Sequence, residues 1–129
     1  MAGRTMYEKI WASHLVAEEE GEALLYVDRL YVHEGSSHAF AALEAAKRKV
    51  ARPGQVFAHA DHYVPTASRA GGVEGIATAE VRDMVKLLEA NTARHGVTLF
   101  GIDDPRQGIL HVVPPEQGIT QPGLLIVGA

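Results

Sequence analysis

Residues Glu80–Phe100 read EVRDMVKLLEANTARHGVTLF, and this stretch decides the fold. Val81, Met84, Val85 and Leu88 stand at i, i+3, i+4 and i+7, which draws one apolar stripe along an α-helix. Glu80 and Asp83 fall in its early turns and Arg94 in its last, as the helix dipole favours, and Gly96 supplies the C-terminal stop. Val97–Phe100 comes next as a short apolar run of strand type. Upstream, Gln55–Ala60 predicts another strand, running into His59-Ala60-Asp61-His62 and then an irregular stretch, Val64–Gly75, with Pro65 and two adjacent glycines. Loops of that length in a compact domain usually serve a site.

Working further outward, Ser36 or Ser37 caps a predicted helix that carries Phe40, Leu43 and Val50 among alanines and is stopped by Arg52-Pro53-Gly54. Ala23–Val27 predicts a strand ended by Asp28 and Arg29, after a solvated turn at Glu18-Glu19-Glu20-Gly21. Thr5 caps a first helix running to His14, with Met6, Ile10 and Trp11 on one side. Downstream, Ile109–Val113 and Leu124–Val127 predict two more strands, separated by Pro114, Pro115, Gly118, Pro122 and Gly123. Short apolar strands alternating with helices give an α/β fold, layered α/β/α around a short, largely parallel sheet, over residues 1–129 as one segment without internal repeats. The closing run Leu124-Leu125-Ile126-Val127-Gly128-Ala129 is a buried-type strand with nothing after it to cover it, so the chain is expected to be a segment of a longer protein.

Composition narrows the function. The 129 residues are 47% apolar and 22% charged, with 12 Lys plus Arg against 16 Asp plus Glu. A net charge of −4 argues against nucleic-acid binding, which needs clustered cations. The one basic cluster, Lys47, Arg48, Lys49 and Arg52, reads as the solvated end of a helix. No run approaches the ~18 apolar residues of a membrane span. The N-terminus has no signal-peptide core, and the chain contains no cysteine, so a cytoplasmic location is expected. Neither a phosphate-binding glycine loop nor a nucleophile elbow is present.

The unusual feature is seven histidines. Asp61 beside His62 places a carboxylate next to an imidazole, a pairing that suits proton transfer near neutral pH, at the end of a strand where α/β sheets bind ligands. Surface or capping roles are the alternative, as is a mononuclear metal hydrolase built on His59, Asp61 and His62. His111, inside the predicted strand 109–113, is either a core histidine or a second group at the same sheet edge. His33, beside Glu34 and before Gly35-Ser36-Ser37, lies in a strand-to-helix loop as a turn residue or a substrate contact. His14, His38 and His95 fall on predicted helices and are expected at the surface.

These motifs, in order, resemble the N-terminal part of the aconitase superfamily, nearest to the large subunit of 3-isopropylmalate dehydratases. The matching stretches are Met6–Ile10, Leu25–Arg29, Val32-His33-Glu34, Ala60-Asp61-His62 with Val64-Pro65-Thr66, and Gln107–Val113, continuing through Pro115–Gly118 and Gln121-Pro122-Gly123. The resemblance implies a hydro-lyase that moves a hydroxyl between neighbouring carbons of a hydroxy-dicarboxylate, with a 4Fe-4S cluster as Lewis acid. By position, Asp61 and His62 match the family's Asp-His pair, in which the His helps the hydroxyl leave as water. His111 matches a second active-site His, and His33 matches a substrate contact that is glutamine in aconitases proper. The cluster cysteines, an Asp-Ser-His-Thr motif and the catalytic serine would lie beyond residue 129, and a small swivelling subunit would complete the site.

Two departures bear on the substrate. His33-Glu34-Gly35-Ser36-Ser37 replaces the common His-Glu-Val-Thr-Ser, and Tyr63 replaces the Asn that commonly comes after Asp-His. Homoaconitate, citraconate or methylmalate, and dimethylmalate therefore stand beside isopropylmalate as substrates. A stand-alone, non-catalytic α/β module is the reading from another class.

Overall fold

The computed structural model describes residues 3–128. Its centre is a four-stranded sheet in the order β5-β4-β3-β6, in which every neighbouring pair is parallel. The strands are β3 (Arg29–Val32), β4 (Val56–His59), β5 (Thr98–Phe100) and β6 (Ile126–Gly128). An antiparallel hairpin of β1 (Leu15–Glu19) and β2 (Glu22–Leu25) stands apart from the sheet, turned by Glu20 and Gly21 at φ 52° and 84°. Among the described residues there are four α-helices: α1 (Met6–His14), α2 (Ser37–Ala45), α3 (Ala79–His95) and the single turn α4 (Val113–Glu116). The α/β class and the parallel sheet expected from the sequence are thus what the molecule has.

Alternation along the strands assigns the two faces. Val32, Val56 and Ala58 join Phe40 of α2, Leu88 of α3 and Val97 in one core cluster, so α2 and α3 cover that face. Tyr31, His59 and Phe100 lie on the other, where the Tyr31 hydroxyl meets Thr120 Oγ1 at 2.7 Å and the buried Leu110 packs close to Gly128. A second cluster of Ile76, Val85 and Ile102 anchors the irregular 61–78 stretch to α3.

Local chemistry explains the boundaries. At α1, the Thr5 side chain accepts from Glu8 N while Glu8 accepts from Thr5 N, closing a capping box. Helix α3 ends on Gly96 in the left-handed region at φ 68°, as its glycine predicts.

Five expectations about the elements need correction. The second helix stops at Ala45 instead of reaching Val50. Lys47 turns left-handed, and the chain then runs back so that Val50 packs on the core and donates its amide to His95 Nδ1. Asp28 and Arg29 do not end a strand; Arg29 opens β3, and Asp28 N just before it donates to Leu125 O. The apolar run 23–27 belongs to the hairpin only as far as Leu25. Residues 109–113 form no strand: Val112 N and Val113 N both turn back to Ile109 O, and Pro114 and Pro115, lacking amide hydrogens, start α4. His111 consequently sits exposed in a turn. The closing strand is displaced to 126–128, and the last residue of the apolar run, Ala129, lies outside the described residues.

One ion pair ties α1 and the hairpin to the sheet. His14, expected at the surface, is buried, and both ring nitrogens face acceptors: Nδ1 lies 2.7 Å from Ile10 O and Nε2 2.5 Å from Asp28 Oδ2. That geometry fits an imidazolium. The Ile10 carbonyl and then Asp28 raise its pKa above 6.5. Burial works against the Asp28 carboxylate, but the Leu125 amide at 2.8 Å and His14 together hold it below 3.8. The His14 contribution is present below pH 6.5 and lost as pH rises through its raised value. The Asp28 contribution is present above pH 3.8 and lost as pH falls through its lowered value. In urea unfolding, the stability gap between wild type and Asp28→Asn is expected to be widest between these limits and to shrink at alkaline pH. A gap that stays flat to pH 9 would contradict the ion pair.

Candidate functional site

The parallel register of β3 and β4 pairs Val32 with Ala58, so the residues leaving the two strands emerge side by side at the carboxyl edge of the sheet. From β3 come His33 and Glu34. From β4 come Ala60, Asp61 and His62.

A tight turn after β3 fixes His33. Its main-chain amide donates to Ser36 Oγ, and its Nδ1 accepts from Gly35 N at 3.1 Å. The Nδ1 lone pair is therefore engaged, and a neutral His33 carries its proton on Nε2. A side chain at residue 35 would meet the His33 ring at 2.7 Å from Cε1, so glycine permits this approach. Burial, and then the nearby charge of His62, lower the pKa of His33.

The rings of His33 and His62 stack, with centroids 4.1 Å apart and planes inclined by 25°. Two unit charges at ~4 Å repel by about 4 kcal/mol at an effective dielectric near 20. Charge on His62 therefore disfavours the charged form of His33. The His62 side chain is about half exposed, and its Nδ1 lies 3.7 Å from Asp61 Oδ2. Asp61 is itself held by the amide of Leu110, which donates to Oδ2 at 3.0 Å.

By residue type and spacing, Glu34 reads only as a neighbour of His33. In the fold it is fully buried, and its carboxylate accepts from three successive amides: Asp61 N at 3.0 Å, His62 N at 3.3 Å and Tyr63 N at 3.4 Å. Gln107 is a second residue that sequence reasoning missed, giving Nε2 to Ala60 O at 2.5 Å while accepting from Arg69. Both lie in stretches that carry the family resemblance, Val32-His33-Glu34 and Gln107–Val113, but no spacing or composition sign assigns either of them a contact.

The predicted residues thus separate. His33, Asp61 and His62 are brought together. His111 is next to Leu110, whose amide binds Asp61, but its exposed ring has no hydrogen bond or stacking partner among the described residues. His59 does not join Asp61 and His62 in a metal set. It is completely buried, stacked on Phe100 at 5.0 Å and edge-on to Tyr31, with both ring nitrogens unpartnered. The donor atoms that do approach within 4.8 Å of one another belong to His33, Glu34 and His62. Of these, His33 Nδ1 and the Glu34 oxygens already accept main-chain amides, while the His62 ring nitrogens have no hydrogen-bond partner among the described residues. An iron–sulfur cluster, bound mainly by thiolates, does not fit this donor set in a chain without cysteine. What the arrangement offers is a proton donor or acceptor at His62, a neutral N–H donor at His33 and a carboxylate at Asp61.

Two further observations limit the site. No helix among the described residues is long and apolar enough to cross a membrane. A family model described as "Aconitase family (aconitate hydratase)" matches residues 8–129.

His59 gives a test of the environment beneath the site. Burial lowers its pKa from 6.5 to about 4. Between those values the unfolded chain takes up a proton that the folded chain refuses, so stability falls as pH drops through this window. His59→Leu removes the two unpaired nitrogens and is expected to stabilise the protein more at pH 5 than at pH 8 in urea unfolding. An equal effect at both pH values would mean that His59 is not held neutral.

Proposed function

This chain belongs to the aconitase family, and we propose that it is the N-terminal part of the large subunit of a 3-isopropylmalate dehydratase, a hydro-lyase interconverting 2- and 3-isopropylmalate in leucine biosynthesis. The observation that carries the reading is the convergence of His33, Asp61 and His62, the residues matching the family's substrate contact and Asp-His pair, at one sheet edge.

In this reading His62 gives a proton to the departing hydroxyl, which leaves as water, and takes one back when water adds to the neighbouring carbon. Asp61 holds the imidazole in orientation through its charge, and Leu110 N holds Asp61 in turn. His33, neutral and protonated on Nε2, donates a hydrogen bond to a substrate oxygen. His111 serves as a second acid-base group from its exposed turn once the rest of the parent protein surrounds it. By the family resemblance, the catalytic serine and the cysteines of a 4Fe-4S cluster would belong to parts of the parent outside this sequence. A small swivelling subunit supplies the remaining contacts to the hydroxy-dicarboxylate.

A second reading keeps the reaction and changes the substrate to homoaconitate, methylmalate or citraconate, or dimethylmalate. It is favoured by Gly35, which lets the His33 ring lie back over the turn, and by the partly exposed Tyr63, whose ring lies 6.4 Å from His62.

The test uses the complete parent enzyme with its partner subunit, reconstituted anaerobically. His62→Gln is expected to lower kcat by about 10²–10⁴ with little change in KM, as for loss of a general acid. His33→Gln is expected to act mainly on KM. A parent protein with neither iron nor hydratase activity would overturn the proposal.

A further inference from the structure

Glu34 is more buried than His33, Asp61, His62 or His111, and it reaches the main chain of the Asp61–Tyr63 segment. Three consecutive amides, from Asp61, His62 and Tyr63, converge on its two oxygens. Such a run of N–H groups around one anion is a nest. A carboxylate can accept all three bonds. A carboxamide cannot, because its NH₂ group would face amide hydrogens. Unpaired, a charge buried this deeply would be strongly destabilising, so the nest and the anion require each other.

The same residue also bears on the imidazole pair. Its Oε2 lies 3.7 Å from His33 Nδ1, and His33, the residue before it, stacks on His62, the middle residue of the nest. One dipeptide, His33-Glu34, therefore grips His62 twice, by its ring and by its backbone. The charged and titratable groups around His33 are Glu34, Asp61 and His62.

We propose that Glu34 is the positioning residue of the acid-base pair: its buried carboxylate fixes the Asp61–Tyr63 backbone so that the His62 ring is held against His33, and its charge sets the electrostatic environment of both rings. This inference rests on the hydro-lyase reading for its catalytic consequence but not for its physical content.

The experiment has one arm for each. In the chain itself, Glu34→Gln is expected to speed amide hydrogen exchange at residues 61–63 by about tenfold or more, reflecting the loss of at least one bond of net worth near 1.4 kcal/mol. It is also expected to move the NMR titration of His33 to lower pH, because the negative charge that favours its protonated form is gone. A purely structural role would change the exchange and leave the titration alone. Glu34→Asp keeps the charge but shortens the reach, so it is expected to speed exchange at 61–63 while leaving His33 titrating closer to wild type; it decides the matter if Glu34→Gln does not fold. Unchanged exchange and unchanged titration in the folded variants would overturn the proposal. In the parent enzyme, Glu34→Gln is expected to lower kcat by about 10²-fold with KM altered far less, the size expected for an acid-base group misplaced by about 1 Å. A parent without hydro-lyase activity would defeat the functional reading, while exchange and titration in the chain would still decide the role of Glu34.

Discussion

The parallel pairing of β3 with β4 is the constraint on which the rest depends. In a parallel pair both strands leave the sheet at the same edge, so the segments that continue from their carboxyl ends meet there. Here the register of Val32 with Ala58 sends His33-Glu34 and Asp61-His62 out as neighbours, although about 27 residues separate them in the chain. Shifting the register by one residue would turn Val32 to the opposite face and expose part of the core formed with Phe40, Val56 and Leu88. Hydrophobic burial on the helix-covered face therefore fixes the alignment of polar groups at the edge. Stability and site geometry share one cause.

Polar interactions then sort the histidines into environments that composition could not distinguish. His14 lies between a carbonyl and a carboxylate and is suited to carry charge. His59 is sealed between aromatic rings with neither nitrogen satisfied and is kept neutral. His33 has one nitrogen committed to a turn amide and stacks on His62, whose ring is open to solvent. His95 receives the Val50 amide beside a tilted Phe40 ring, buried although its place on a helix suggests the surface. Residues of one type thus take different roles, set by burial and by the nearest donor or acceptor.

The elements legible in the sequence are those whose signals are local. The stripe on α3, its glycine stop and the Thr5 cap of α1 depend only on residues within a few turns of each other, and they stand where expected. Sequence and structure part where a distant partner decides. Asp28 and Arg29 resemble the end of a strand, yet Arg29–Val32 is the strand flanked by β4 and β6, with Asp28 just before it paired to His14 and bonded to Leu125. Ile109–Val113 has the composition of a strand, but two prolines come directly after it and the amide of Leu110 is taken by Asp61. Asp61 and His62 are visible as an adjacent pair, whereas their link to Glu34 and Gln107 is not, because no spacing rule connects residues so far apart.

By itself, the sequence determined the α/β class, the strongest helix, the absence of any thiolate for a metal cluster, and the Asp61-His62 pair with His33 as candidates for chemistry. These come from periodicity, composition and adjacent residue types, which are local properties. Only the tertiary structure decided that His33 stacks on His62, that Glu34 holds the main chain between Asp61 and Tyr63, that His59 is sealed away from the site and that His111 sits in a turn. The physical reason is that a hydrogen bond or a stacked ring acts over a few ångströms of space, and strand register sets which distant residues come within that range.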